Sequence, residues 1–191
     1  MDWRLYHAIY DVSLHHHWLG SFFNGVEKAS IPVMIVATVA LWFFARPGGD
    51  RKWKLAAASG LGAAALALAV NLVLHAIHDR PRPYEAHTIA HPWSSSTDSS
   101  FPSDHASASL AIAFAVLAFD TAVGAVFLVA ALLITVGRVF IGAHYPGDVL
   151  ASLVVALVAA FVVVRLVRPL VAALVRLFER LTDPVLSRTG R

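Results

Sequence analysis

The chain has 191 residues, 58% of them hydrophobic and only 14% charged, with a formal net charge of +3 and a mean hydropathy of +0.68. A soluble domain of this length needs far more charge to cover its surface, and basic residues scattered among apolar runs point to membrane orientation rather than to nucleic acid. Cysteine is absent, so neither a disulfide framework nor a thiolate metal site can form.

Residues 1–28 mix aromatic and apolar side chains (Trp3, Leu5, Tyr6, Ile9, Tyr10, Val12) with Asp2, Arg4, His7, Asp11 and the run His15 to His17. This pattern predicts an interfacial segment of one or two helices with rings at headgroup depth. The three histidines have nothing nearby to complete a metal-ligand set, so a wet turn is the expectation. No basic region leads directly into an apolar one, so the first span rather than a cleaved leader is expected to direct insertion.

Apolar runs then predict spans over about 30–44 (with a start as early as residue 22, since fifteen residues are short), 55–78, 103–119, 121–141 and 146–164. The second is rich in Ala and Gly, which lets helices approach closely. Asn71 and His75, four apart near its end, are expected to face the bundle. Residues 79–103 form the longest polar segment, where Pro81 and Pro83 forbid a continuing helix. Asp120 and Thr121 make a tight turn with Asp120 as N-cap. The tail, 166–191, alternates arginines with leucines and valines as an amphipathic surface helix does. The expected fold is an all-α polytopic membrane bundle of five to six transmembrane helices with amphipathic terminal helices. It forms a single membrane-embedded domain over residues 1–191.

Arg46, Arg51, Lys52 and Lys54 follow the first span, and six arginines from Arg165 onward occupy the tail; together they are ten of the fifteen basic residues. Five spans put both segments on one side, which the positive-inside rule makes the cytoplasm. Three polar stretches then meet at the outer face: Arg80 to Tyr84, Phe101 to His105, and Gly137 to Asp148. Ionisable groups at such a boundary mark a site by default.

Their chemistry suits a phosphate ester. Guanidinium forks match phosphate oxygens, which selects Arg82 and Arg138 as a clamp. Ser103 opens a helix whose free N–H groups, including those of Asp104 and His105, form an anion site. A histidine can attack phosphorus when a carboxylate holds its other nitrogen, and His144 and Asp148 are four apart across a Pro-Gly helix start. His105 is then the acid for the leaving oxygen and later the base for water. Each residue also has an ordinary reading: Ser103 as a cap, Asp148 on a helix dipole, the arginines snorkelling, His144 as an interfacial side chain. Convergence of all of them on one face favours the phosphate site, which calls for no cofactor and no metal. His87, His91 and Trp93 stand as candidates for its headgroup entrance, beside the reading that they belong to an ordinary loop.

The motifs resemble the signature of the type 2 phosphatidic acid phosphatase superfamily, K-x6-R-P, P-S-G-H and S-R-x5-H-x3-D. Here it runs Arg82-Pro83, Pro102-Ser-Asp-His105, and Arg138 with His144 and Asp148. The resemblance covers roughly residues 70–165. The Arg-Pro-Arg-Pro-aromatic run and the Phe-Pro-Ser-Asp-His form resemble its bacitracin-resistance branch of undecaprenyl-diphosphate phosphatases. That implies a nucleophile at His144 with Asp148 as partner, the acid at His105, and phosphate contacts from Arg82, Ser103 and Arg138. It further implies metal-independent removal of the terminal phosphate from a polyprenyl diphosphate at the outer face of a bacterial plasma membrane, recycling the cell-wall lipid carrier. Other lipid phosphates, phosphatidate or phosphatidylglycerophosphate, and a non-catalytic lipid-phosphate carrier are the alternatives. The family lysine falls at His75, with His75 and Arg80 as candidate replacements, its glycine at Asp104 and its serine at Gly137.

Overall fold

In the computed structural model, which describes residues 2–45, 51–89, 93 and 96–189, the hydrophobic face of one short helix sets the arrangement of the longer ones. That helix, α5 (Asp104–Leu117), is buried at ten of its fourteen residues, and five of the ten are alanine. Side chains this small let α3 (Lys52–Ile77), α6 (Thr121–Phe140) and α7 (Pro146–Phe161) approach from three sides.

The flanking helices each turn one stripe inward. In α3 it is Ala56, Gly60, Ala63, Ala67 and Asn71; in α6 it is Gly124, Phe127, Ala131, Ile134 and Arg138. Steps of three or four residues keep each stripe on one helical face. α2 (His17–Phe44) does the same with Gly20, Phe23, Ser30, Met34, Thr38 and Leu41. Asn71 is thus inside the bundle, and the polar residues at the outer ends of the stripes are carried there by apolar packing below them.

α2, α3, α6 and α7 with its π-helical extension Val162–Leu166 are 28, 26, 20 and 21 residues long, each apolar enough to cross a bilayer. α5, at roughly 21 Å for fourteen residues, is shorter than a bilayer core; enclosed by its neighbours, it needs no lipid-facing length. The protein is a multi-pass helical membrane bundle, and no strand occurs among the described residues.

Two further regions depart from or refine the sequence expectation. α2 begins at His17, well before residue 30, because His16 breaks the helix (φ −122°, ψ 76°) and frees α1 (Asp2–His15) as a separate element. Tyr6 and Tyr10, expected at headgroup depth, are buried instead. They stack on each other at 5.5 Å, and Tyr6 lies against Tyr145 at 5.6 Å. At the opposite end, Asp120 caps α6 through Val123 N (3.1 Å), accepts from the Trp53 indole (3.1 Å) and pairs with Lys52 (2.9 Å). The tail helix α8 (Arg168–Thr189) is held by Lys54, whose buried ammonium meets Asp183 at 2.6 Å and Glu179 at 3.4 Å.

Candidate active site

The α6–α7 turn centres the site. Gly142 takes φ +77°, and a Cβ there would stand 3.0 Å from both the Tyr6 hydroxyl and the Tyr10 ring, so glycine alone fits. The turn folds back so that Ala143 and His144 donate to the Arg138 carbonyl at 3.1 and 3.2 Å. His144 is thereby buried between the end of α6 and the start of α7.

Its two ring nitrogens have different partners. Nε2 accepts from Arg138 (3.0 Å) and from Arg82 (3.2 Å). Both neighbours are obligate donors, so Nε2 carries the lone pair and Nδ1 the hydrogen. Nδ1–H donates to the Ser100 carbonyl at 2.7 Å. Burial first, and then the two guanidinium groups, depress the His144 pKa to about 3 against the pull of Asp148. The ring is neutral at physiological pH, with its lone pair aimed into an arginine-lined space.

Asp148 stands 3.8 Å from Nδ1, beyond hydrogen-bond reach but close enough to steady a charged ring. The neutral ring is oriented instead by the Ser100 carbonyl, a partner the sequence did not single out. The Asp148 carboxylate accepts from Ser100 Oγ (2.6 Å), Tyr145 N (2.9 Å) and Arg80 (2.5 Å). Arg80 lies 4.0 Å over the Tyr145 ring and reaches Asp2 at 2.7 Å, while the other Asp2 oxygen accepts from Gly147 N at 2.9 Å. Helix α1 therefore closes the back of the site.

The arginine clamp is anchored from outside the motifs. Arg82 donates to the Asp98 carbonyl (3.0 Å), its carboxylate (2.9 Å) and the Ala143 carbonyl (3.2 Å). Burial works to raise the Asp98 pKa, but the Ser96 hydroxyl and Arg82 outweigh it and hold Asp98 below the usual carboxylate range. Arg138 pairs with Glu27 of α2, a residue in register with the buried α2 stripe between Phe23 and Ser30. Two buried polar groups beside this cluster have no partner among the described residues, Arg138 Nε and Ser103 Oγ. Ser103 is fixed through Ser152, which accepts from its N–H at 2.9 Å and donates to its carbonyl at 3.1 Å, one turn along α7 from Asp148.

Each departure from the family pattern has a local account. The Asp104 carboxylate accepts from the Asn71 amide at 2.6 Å. His75 lies 3.0 Å from the Pro102 carbonyl and 4.0 Å from Asp104, and so braces the second motif rather than joining the clamp. At Gly137 a Cβ would come within 2.8 Å of the Phe23 ring, which occupies the space a serine would need. His105 opens the first turn of α5 and lines a cleft of about 490 Å³ with Asn24, Glu27, Lys28, Trp93 and Ser96. Trp93 lines this cleft, whereas His87 stacks on Trp3 at 3.6 Å on the α1 side. His91 lies outside the described residues. Among those residues no group of three or more His, Asp or Glu side chains comes together as a metal cluster would.

With this bundle and its buried histidine flanked by two arginines, the chain belongs to the PAP2 superfamily, which its residues 56–172 match. It is a membrane phosphatase of that family. It is 31% identical over 158 residues to undecaprenyl-diphosphatase BcrC of Bacillus subtilis (strain 168), covering 83% of this chain and 80% of that one. Two solved structures share the fold. Aquifex aeolicus LpxE matches with a TM-score of 0.72 at 21% identity, over 85% of this chain and 93% of its own. A PAP2-type phosphatidylglycerolphosphate phosphatase from Bacillus subtilis matches with a TM-score of 0.62 at 22% identity, over 84% of this chain and 83% of its own.

Proposed function

We propose that the protein hydrolyses undecaprenyl diphosphate to undecaprenyl phosphate at the outer face of a bacterial plasma membrane, through a phosphohistidine and without a metal. The observation that carries this reading is the pair of unpartnered buried donors, Arg138 Nε and Ser103 Oγ, beside a histidine lone pair already aimed by two arginines. Buried donors without acceptors are costly, roughly 1–3 kcal/mol each, and phosphate oxygens supply the missing acceptors. The lipid tail is assigned by likeness to undecaprenyl-diphosphatase BcrC.

In the first step His144 Nε2 forms a bond to the terminal phosphorus while the bond from phosphorus to the bridging oxygen breaks. His105, which takes up a proton as the anionic substrate binds beside it, gives that proton to the bridging oxygen, and the lipid monophosphate leaves. The ring keeps Nδ1–H on the Ser100 carbonyl and becomes cationic, a charge that Asp148 at 3.8 Å offsets. Arg82, Arg138 and Ser103 hold the three non-bridging oxygens as charge builds on them. In the second step His105 takes a proton from water, the oxygen attacks phosphorus, and the Nε2–P bond breaks to release inorganic phosphate and neutral His144.

The test is phosphate release from undecaprenyl diphosphate in detergent with chelator present, for the wild type and His144→Ala together. Activity in the first and its loss in the second are expected. Undiminished activity in the variant defeats the nucleophile assignment, and a preference for phosphatidate or phosphatidylglycerophosphate defeats the substrate assignment. Turnover of no lipid phosphate leaves the carrier reading.

A further inference from the structure

The clamp accounts for one phosphate, but a diphosphate brings two. His105 marks where the second must go. As the proton donor it touches the bridging oxygen, and the leaving phosphate is attached to that same oxygen. His105 lines the cleft together with Asn24 and Lys28 of α2 and with Trp93 and Ser96, so the leaving phosphate enters that cleft.

The cations lining or bordering the cleft are unequally committed. Arg138 is paired with Glu27, and Arg82 with Asp98. Lys28, an exposed residue next to Glu27 on α2, lines the cleft and forms no ion pair among the described residues. Asn24, one turn earlier, adds an amide to the same wall. His75 is turned to the Pro102 carbonyl and Arg80 to Asp148 and Asp2, so neither supplies charge on this side. The cleft therefore offers an ammonium, an amide and the Trp93 indole, with Glu27 neutralised by Arg138.

We infer that Lys28 is a specificity residue which binds the leaving phosphate of a diphosphate substrate across the cleft from His105, so that the enzyme favours diphosphates over monophosphate esters. This rests on the proposed function. A monoester has an uncharged alcohol at that position and gains nothing from Lys28. For a diphosphate, the ammonium also steadies the charge that grows on the departing group, which lowers the barrier to bond cleavage.

The experiment measures undecaprenyl diphosphate hydrolysis by wild type, Lys28→Gln and Lys28→Arg, with inorganic pyrophosphate and inorganic phosphate as competing inhibitors. Pyrophosphate fills both subsites, whereas phosphate fills only the one at His144. In Lys28→Gln, kcat/KM and pyrophosphate inhibition should each weaken by about tenfold, the scale of one charge-assisted contact. Phosphate inhibition should hold within about twofold, and Lys28→Arg should restore most of the loss. Equal weakening toward both inhibitors, or none toward either, overturns the assignment and leaves Lys28 an interfacial cation. Wild type that cleaves no undecaprenyl diphosphate defeats the proposed function itself, and the Lys28 assignment with it.

Discussion

Arg80 is not part of the family signature, yet the structure makes it the main counter-charge of Asp148. Its guanidinium reaches that fully buried carboxylate at 2.5 Å, while its own side chain is 25% exposed. Replacing it by methionine keeps the stem and deletes the charge, leaving Asp148 with Ser100 Oγ and Tyr145 N. Breaking a buried pair costs about 3–5 kcal/mol. Solvent around the partly exposed arginine screens a share of this, which brings the coupling down to about 2 kcal/mol. A double-mutant cycle with Arg80→Met and Asp148→Asn isolates that quantity, since each replacement removes the pair without adding a new charge. Read by thermal unfolding in detergent, the two single variants together should overshoot the double variant by about 4–8 °C, using about 2–4 °C per kcal/mol at this chain length. Additivity within about 0.5 kcal/mol would refute the bridge and leave Asp148 fixed by its Ser100 and Tyr145 contacts.

Acid should expose the burial of His144. Its folded pKa, about 3, lies below the ordinary value of 6.5; the unfolded chain therefore binds the extra proton first, and stability is lost as pH falls from about 6.5 toward 3. Midpoints of wild type should drop more steeply than those of His144→Gln over this window, by up to about 1.4 kcal/mol per pH unit, and parallel curves would contradict the buried neutral ring. Restoring the family serine by Gly137→Ser should impair the enzyme, because the Phe23 ring stands in its way. A loss of about 1–3 kcal/mol of stability is expected from such overpacking, with partial recovery in Gly137→Ser/Phe23→Ala, and an undisturbed single variant in the same unfolding assay counts against the contact.

The helices and the converging stretches were legible because apolar run length and loop charge are local properties of the chain. Asn71 could be placed on an inward face, and Asp148 within reach of His144, by counting four residues. What escaped was the docking of separate elements. Trp3, Tyr6 and Tyr10 follow helical spacing, but the same spacing serves a headgroup-facing helix and one packed on the α6–α7 turn. Only the partner surface decides, so Asp2 gave no sign of its bond to Arg80. Glu27 did leave a trace, since it falls in step with Phe23, Ser30 and Met34 on the inward stripe of α2. Ser100 left none, because its backbone carbonyl, identical in every residue, is what orients His144.

The shortness of α5 has a consequence for the surrounding lipid. Asn71 meets Asp104 at the head of α5, yet α3 continues six residues further to Ile77, roughly 9 Å at helical rise. Under the proposed function, a headgroup bound at the head of α5 lies about that far short of the end of α3, and so below its neighbours in the leaflet. Hydrophobic mismatch costs fractions of a kcal/mol per Å. A thinner bilayer shortens that descent, which makes membrane thickness itself a determinant of how readily lipid is captured.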